Sequence, residues 1–306
     1  MIKYFPFTSD FNLKMGTTPM LANETVVETD EHYLHEIQLK RKLLAEDYHY
    51  YFDALPESKL AQWETVEVVL NDLVKHDPQN FSLQKENARW QFINKKLNEN
   101  FSFEFDPDSY RDENSLPVAP LDFVGRQVQE DLILLNNKNE VVAGQLCFPS
   151  GWALQEKIGE HFLEVHAPLP SVTNSMIQSA NKFIEKIPVG KSFSRNNWGF
   201  RLGNELDLSS KHSLAYRESL KAIPQLSQEE FGEKIFLRVE HQTLTRLPKS
   251  NFILFTIHTY NSSLKDETVS QERTKTMLSF LKDVPAELIE YKVLTPIYDK
   301  LIEYLS

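Results

Sequence analysis

The first third of the chain repeats apolar residues at intervals of three and four, the spacing of one face of an α-helix. This pattern predicts helices over residues 30–52 and 57–75, and a third, shorter helix over residues 82–98. The apolar stripe of the second predicted helix consists of Leu60, Trp63, Val66, Leu70 and Leu73. Residues 1–100 are therefore expected to form a mostly helical cap.

Further along, the apolar period shortens to two, which is typical of β-strands. Residues 128–135 and 140–148 flank the turn sequence NNKN and predict a β-hairpin. Residues 235–247 and 251–260 flank Pro-Lys-Ser and predict a second hairpin. Because both faces of the strand over 251–260 are largely apolar, we expect this strand in the middle of a sheet.

Helical spacing returns over residues 171–187 and again over 268–283, where two shorter helical pieces follow around Pro285 and Pro296. Strands thus come as hairpins between helical stretches, rather than in alternating βαβ order. This element order favours an α+β fold with an antiparallel sheet.

The domain organisation follows from the same order of elements. We expect one domain over residues 1–306, with an α+β core over 101–265 and C-terminal helices over 266–306. A chain of 306 residues that is 41% hydrophobic has enough apolar material for a sizeable core.

The net charge of −11 and the lack of a basic stripe argue against a nucleic-acid binder and against binding to anionic membranes. An acidic surface attracts a basic partner or a cationic small molecule, or serves solubility alone. No segment approaches 18 consecutive apolar residues, so no transmembrane helix is expected. The start of the chain lacks the apolar block of a secretory signal.

A single cysteine, Cys147, excludes a disulfide within the chain and any cysteine-based zinc or iron–sulfur site. A reducing, cytoplasmic location fits this composition. The chain also lacks G-x-G-x-x-G, G-x-x-x-x-G-K-[ST], H-E-x-x-H, G-x-S-x-G and C-x-x-C. A nicotinamide or flavin bound through a Rossmann unit is therefore not expected, and a redox role needs electrons from outside.

The strand over 237–247 carries an unusual polar face. Side chains alternate along a strand, so Arg238, Glu240, Gln242 and Arg246 share one face. The other face consists of Leu237, Val239, His241, Thr243 and Leu247. The polar face is either solvated or lines a pocket with Glu240 as its anionic floor.

Residues 194–204, SRNNWGFRLGN, are predicted to form a turn because they are rich in asparagine and glycine. Arginine forks such as that of Arg195 recognise carboxylates in a bidentate manner, and the propionates of a haem are suitable partners. The alternative is a structural turn with an arginine salt bridge.

His166 follows the β-type run FLEV and precedes Pro168 and Pro170. A lone histidine at such a place is either a buried, hydrogen-bonded side chain or a ligand. The prolines hold the backbone extended before the next predicted helix. A rigid segment of this kind suits an axial ligand, because haem iron needs one nitrogen at constant distance and angle.

Taken together, several motifs resemble the haem-dependent oxidative N-demethylase alpha-subunit-like family. They are KMGTTP, TDEHY, VQEDLILL, FPSGW, EKIG, VHAPLP, SRNNW and RVEHQTLTRLPKSNFILFTIHTY. The resemblance covers about residues 4–265.

The resemblance implies a PAS-like core that encloses a haem b. It implies O₂-dependent removal of a methyl group from a small secondary amine such as dimethylamine. Electrons come in this family from NADPH through separate flavin and iron–sulfur subunits. A non-catalytic haem-binding sensor and a haem-free interaction protein remain open as alternatives.

Carried over to this sequence, the resemblance implies that His166 is the iron ligand. It implies that the cofactor is also contacted by Arg195, Trp198, Arg238, Gln242 and Arg246. Glu240 is expected on the distal side, where a carboxylate can bind an alkylammonium ion, and Tyr260 is the second expected catalytic residue. His241 departs from the arginine usual in the family, and it and His258 are rival iron ligands.

Overall fold

A computed structural model of the chain describes residues 1–12, 16–105 and 116–306. Lys14 and Met15 of the KMGTTP motif lie outside the described residues.

The described residues form ten strands. In chain order they are β1 (Thr18–Pro19), β2 (Phe52–Ala54), β3 (Phe81–Glu86), β4 (Arg89–Asn94), β5 (Glu99–Glu104), β6 (Asp131–Leu135), β7 (Val141–Gln145), β8 (Ser192–Leu202), β9 (Ile235–Arg246) and β10 (Ile253–Ser263). Seven of these described strands form one antiparallel sheet in the order β1–β8–β9–β10–β6–β7–β2. The strands β3, β4 and β5 form a separate antiparallel sheet.

Helices precede, interrupt and follow these strands. In chain order they are α1 (Tyr33–Glu46), α2 (Tyr48–Tyr51), α3 (Lys59–His76), α4 (Pro120–Gly125), α5 (Phe162–Val165), α6 (Asn174–Lys186), α7 (Ser213–Ser219), α8 (Gln228–Lys234), α9 (Leu264–Glu267), α10 (Gln271–Lys282), α11 (Ala286–Tyr291) and α12 (Thr295–Leu305). The α+β class predicted from the element order is confirmed.

Both predicted hairpins are confirmed, as β6–β7 and β9–β10. The apolar strand β10 lies at the centre of the large sheet, with three strands on either side, as its two apolar faces predicted. The predicted helices over 57–75, 171–187 and 268–283 correspond to α3, α6 and α10, and the helix over 30–52 is divided at Asp47 into α1 and α2.

Three local predictions are wrong. Residues 82–98 form no helix; they belong to β3 and β4, in which apolar side chains alternate with polar ones. Residues 194–204 are mostly strand β8 rather than a turn, because their backbone is paired with β9 as far as Leu202. The run FLEV before His166 is the short helix α5 rather than a β-type segment.

The register of β8, β9 and β10 defines two faces of the large sheet, because residues directly opposite each other point the same way. We call the side with Arg195, Asn197, Glu240 and Gln242 the Arg195 face. The opposite side, which carries Tyr260, is the Tyr260 face.

An apolar cluster covers the Arg195 face towards β6 and β7. It joins the sheet residues Ile133, Phe193, Leu244 and Ile257 to Phe162 and Val165 of α5 and to Phe183 and Ile184 of α6. Helices α5 and α6 therefore lie over the Arg195 face and bring the segment around His166 to it.

Candidate functional site

Glu240 lies in the middle of the Arg195 face. Its Oε2 accepts hydrogen bonds from Asn197 Nδ2 at 3.2 Å and from Gln242 Nε2 at 2.9 Å. Its Oε1 lies 4.0 Å from Arg238 Nε. The carboxylate thus accepts hydrogen bonds at Oε2, while Oε1 is ion-paired with Arg238 and accepts no hydrogen bond within the described residues.

Arg195 lies two residues before Asn197 on the same face of the sheet. It is a half-buried cation without an ion-pair partner within the described residues. No hydrogen bond of its guanidinium is formed within the described residues, and its Nε is fully shielded from solvent. Burial lowers the pKa of Arg195, and the negative charge of Glu240 opposes this shift. A shielded guanidinium nitrogen without a hydrogen bond is costly, so this position favours binding of an anion.

His166 is placed by the short helix α5, which begins with a reciprocal cap. His161 Nδ1 accepts from the Leu163 amide at 3.1 Å, and Glu164 accepts from the His161 amide at 3.2 Å. The His166 ring then lies 4.2 Å from the ring of Phe162, and its Nδ1 bonds the Phe162 carbonyl at 2.8 Å.

The environment of His166 favours a neutral ring. Burial lowers its pKa, and the nearby charges of Arg195 and Lys157 lower it further. Because Nδ1 is hydrogen-bonded to a carbonyl, the lone pair of a neutral imidazole is on Nε2. This is the arrangement in which metal-binding histidines are commonly held.

Two other predicted cofactor residues on this face, Arg238 and Arg246, donate hydrogen bonds to backbone carbonyls. Arg238 donates to the Phe148 carbonyl at 2.6 Å. Arg246 donates to the carbonyls of Ile184, Ile187 and Asn251. Within the described residues, the side chain of Gln242 forms a hydrogen bond with Glu240 alone. The structure therefore brings together Arg195, His166, Arg238, Glu240 and Gln242, and it places Arg246 at the far end of the strand.

Trp198 and Tyr260 lie on the Tyr260 face, away from Arg195 and Glu240. Trp198 packs 5.3 Å from Phe7 in an aromatic cluster. The Tyr260 hydroxyl donates to Glu28, and its pKa is raised by burial and by that carboxylate. The structure does not bring these two predicted site residues to the same face as the others.

The rival ligands His241 and His258 also lie on the Tyr260 face. The His241 ring is stacked on Tyr4 at 3.8 Å, and its Nδ1 bonds Asn196 at 2.9 Å. His258 Nδ1 bonds Glu130 at 2.8 Å, and both side chains are about 1% exposed. Burial opposes protonation of His258, but Glu130 and Asp30 outweigh it and raise its pKa to about 10. A protonated histidine is a poor iron ligand.

Replacing His258 by leucine is expected to destabilise the fold by about 3–5 kcal/mol, because Glu130 and Asp30 then lose their buried counter-charge. Protonated His258 contributes to the free energy of unfolding. This contribution is fully present below the unfolded-state pKa of about 6.5 and is lost as pH rises towards about 10. Urea unfolding of wild type and H258L at several pH values measures this. The half-exposed His212 provides a control, since H212L should change stability little. A constant difference between wild type and H258L from pH 6 to 10 would contradict the assigned charge.

Sequence reasoning missed Lys292 at this site. It follows α11, and its Nζ donates to Asn197 Oδ1 at 3.2 Å and to the Trp198 carbonyl at 2.7 Å. Arg201 donates to the Lys292 carbonyl at 3.0 Å and to Ser150 Oγ at 2.9 Å. No local pattern marks Lys292, because its role depends on α11 lying beside the edge of β8.

Comparison with known protein families matches residues 17–302 to the family described as "Haem-dependent oxidative N-demethylase, alpha subunit-like". The match covers nearly the whole chain and extends beyond residue 265 through the C-terminal helices, so it includes Lys292 after α11. The chain belongs to this family.

The name of the family implies dependence on haem, and the residues of the Arg195 face fit that group. Arg195 offers an unpaired guanidinium for a carboxylate, and His166 offers a neutral ring nitrogen. The apolar side chains around them suit the flat face of a macrocycle. The Tyr260 face fits less well, because its histidines are stacked or ion-paired.

Within the described residues, no group of three or more His, Cys, Asp or Glu side chains is placed to hold a metal ion. A haem iron needs fewer protein ligands, since the porphyrin supplies four nitrogens. Among the described helices, none combines the length and apolar character needed to span a bilayer.

Proposed function

We propose that this member of the family is the haem-bearing oxygenase subunit in oxidative N-demethylation of a small alkylamine such as dimethylamine. His166 would hold the iron of haem b at the Arg195 face, and Arg195 would bind a propionate. The proposal is supported by two groups on this face: the guanidinium of Arg195, whose shielded Nε has no hydrogen bond, and the neutral, oriented imidazole of His166.

When bound, the haem supplies the iron centre that binds and activates dioxygen. The chain itself provides the site for the amine. Glu240 is held at Oε2 by Asn197 and Gln242, so its Oε1 accepts an N–H of the alkylammonium ion. The apolar residues on the same face exclude water and accept the methyl groups.

The reaction consumes dioxygen, the amine, protons and one electron pair, and it yields formaldehyde, the demethylated amine and water. The electron pair comes from outside the chain, and we infer separate flavin and iron–sulfur reductase subunits as its source. A net charge of −11 favours a basic docking surface on that partner. Helices pack on both faces of the large sheet. From the family resemblance we infer a PAS-like haem domain and a cytoplasmic location.

Haem loading followed by a turnover assay tests the proposal. The loaded chain is expected to show a Soret band that shifts on reduction and on addition of CO. With dimethylamine, O₂ and a surrogate reductant it is expected to form formaldehyde. The variant Glu240→Gln should keep the spectrum but lose turnover about 100-fold, because a neutral amide no longer binds the ammonium ion.

The outcomes separate the alternatives. A chain that takes up no haem contradicts the proposal and favours a haem-free interaction protein. A chain with a normal spectrum but no formaldehyde from a panel of methylamines favours a haem-binding sensor. Full turnover by E240Q would show that the amine binds elsewhere.

A further inference from the structure

Lys292 is tied to the candidate site at both its side chain and its backbone. Its Nζ bonds Asn197 Oδ1 at 3.2 Å, and Asn197 Nδ2 in turn donates to Glu240 Oε2. Its carbonyl accepts from Arg201, a residue of β8 on the Arg195 face. Since an amide has one acceptor end and one donor end, the bond from Lys292 fixes which end of Asn197 faces Glu240.

The backbone after Lys292 is strained. Val293 has a φ of +56°, a left-handed conformation in which a β-branched residue is an outlier. The turn closes α11 through bonds from the Val293 amide to Glu290 and from the Leu294 amide to Ile289. Glycine usually occupies this cap position, and strain of this kind is concentrated at functional sites. The strained turn holds Lys292 against the edge of β8.

The charged and titratable groups near Lys292 lie in β8, β9 and α11. The pKa of Lys292 is lowered to about 7. Burial is the largest cause, the charges of Arg201 and Arg195 add to the shift, and the charge of Glu240 opposes it. Tyr291 beside it is 43% exposed and feels the charge of Glu240, which together with burial raises its pKa. Cations outnumber anions around this lysine.

We propose that Lys292 is a positioning residue that makes this site selective for cationic amines, an inference that rests on the proposed function. It orients Asn197, and thereby leaves Glu240 Oε1 to the substrate. In its uncharged form it still donates both hydrogen bonds, but it adds no positive charge that would repel an alkylammonium ion.

The inference predicts that amine binding strengthens as Lys292 loses its proton. Dialkylamines stay protonated across this range, because aliphatic amines titrate near the lysine value of about 10.4. Affinity of the haem-loaded wild type for dimethylammonium is expected to rise about tenfold from pH 6 to 8.5, a change typical of one charge interaction at a partly buried site. Calorimetric titration measures it.

Two variants separate charge from hydrogen bonding. Lys292→Arg keeps a donor and a permanent charge, so its affinity should stay at the weak, low-pH level of wild type. Lys292→Met removes both, so its affinity should not vary with pH and should fall below that of wild type at pH 8.5. The exposed Lys282 supplies the control, since K282M should keep the wild-type profile.

A second readout needs no haem. Competitive acetylation with mass spectrometry reports the pKa of Lys292 in the full chain, and half-reaction is expected near pH 7, well below the exposed lysines. Glu240→Gln should move it lower, because the opposing carboxylate charge is gone. Reaction of Lys292 only at the pH of the exposed lysines would overturn the inference.

Failure of the inference is distinguishable from failure of the proposed function. If K292M keeps the affinity and pH profile of wild type, the inference fails and the proposed function stands. If haem-loaded wild type binds no dimethylammonium at any pH, the proposed function fails and takes the inference with it.

Discussion

Replacing Arg195 by methionine is expected to stabilise the haem-free chain and, in the same protein, to weaken haem binding at least tenfold. The Nε of this half-buried guanidinium is shielded from solvent and forms no hydrogen bond within the described residues. Removing such a group typically raises the free energy of unfolding by about 1–3 kcal/mol. The same change deletes the charge-assisted contact to a propionate.

Urea unfolding without haem and equilibrium haem titration measure the two effects separately. Arg246 is the matched control, because it shares the strand and donates to three backbone carbonyls. R246M should therefore destabilise the haem-free chain, by about 3 kcal/mol. If R195M were destabilising like R246M, Arg195 would be a structural residue and the anion site would be refuted.

Replacing His166 by alanine is expected to change the ferrous and ferrous–CO spectra of the haem-loaded chain and to weaken haem binding by about 10- to 100-fold. The reason is the loss of a neutral, oriented imidazole on the Arg195 face. Added imidazole should restore the spectrum by filling the space that the side chain leaves.

The control is the rival ligand on the other face. His241→Ala should leave the spectrum unchanged, because its ring is stacked on Tyr4 across the sheet from Arg195. A normal spectrum in H166A together with an altered one in H241A would place the iron on the Tyr260 face and overturn the proposed haem position.

The predictions that the structure confirms rest on local sequence patterns. The two hairpins and the central strand followed from alternation and apolar content, and these depend on neighbouring residues alone. The alternation also assigned Arg238, Glu240 and Gln242 to one face, as the register bears out.

The helix predicted over 82–98 failed for a recognisable reason. Apolar residues there alternate with polar ones in β3 and β4, and a turn separates the two strands. Asn87 and Asn98 both have positive φ values, which asparagine tolerates better than most residues. Those asparagines were the available signal for turns.

The strand character of β8 and the position of Lys292 had no local signal. Asparagine is a poor strand former, yet Asn196 and Asn197 are held in β8 by pairing with β9, so tertiary structure overrides propensity. Trp198 and Arg195 are three residues apart and so point to opposite faces, which a predicted turn could not reveal. Lys292 reaches β8 from 95 residues away.

The hydrogen bonds of Arg246 affect how a haem would enter the proposed site. This arginine ties the end of α6 to the β9–β10 hairpin through the carbonyls of Ile184, Ile187 and Asn251. That end of the covering layer is fixed, so we expect a haem to enter at the opposite end, where α5 is only one turn long. The rate of uptake should then follow excursions of residues 161–173, and a crosslink there should slow loading without altering the final occupancy.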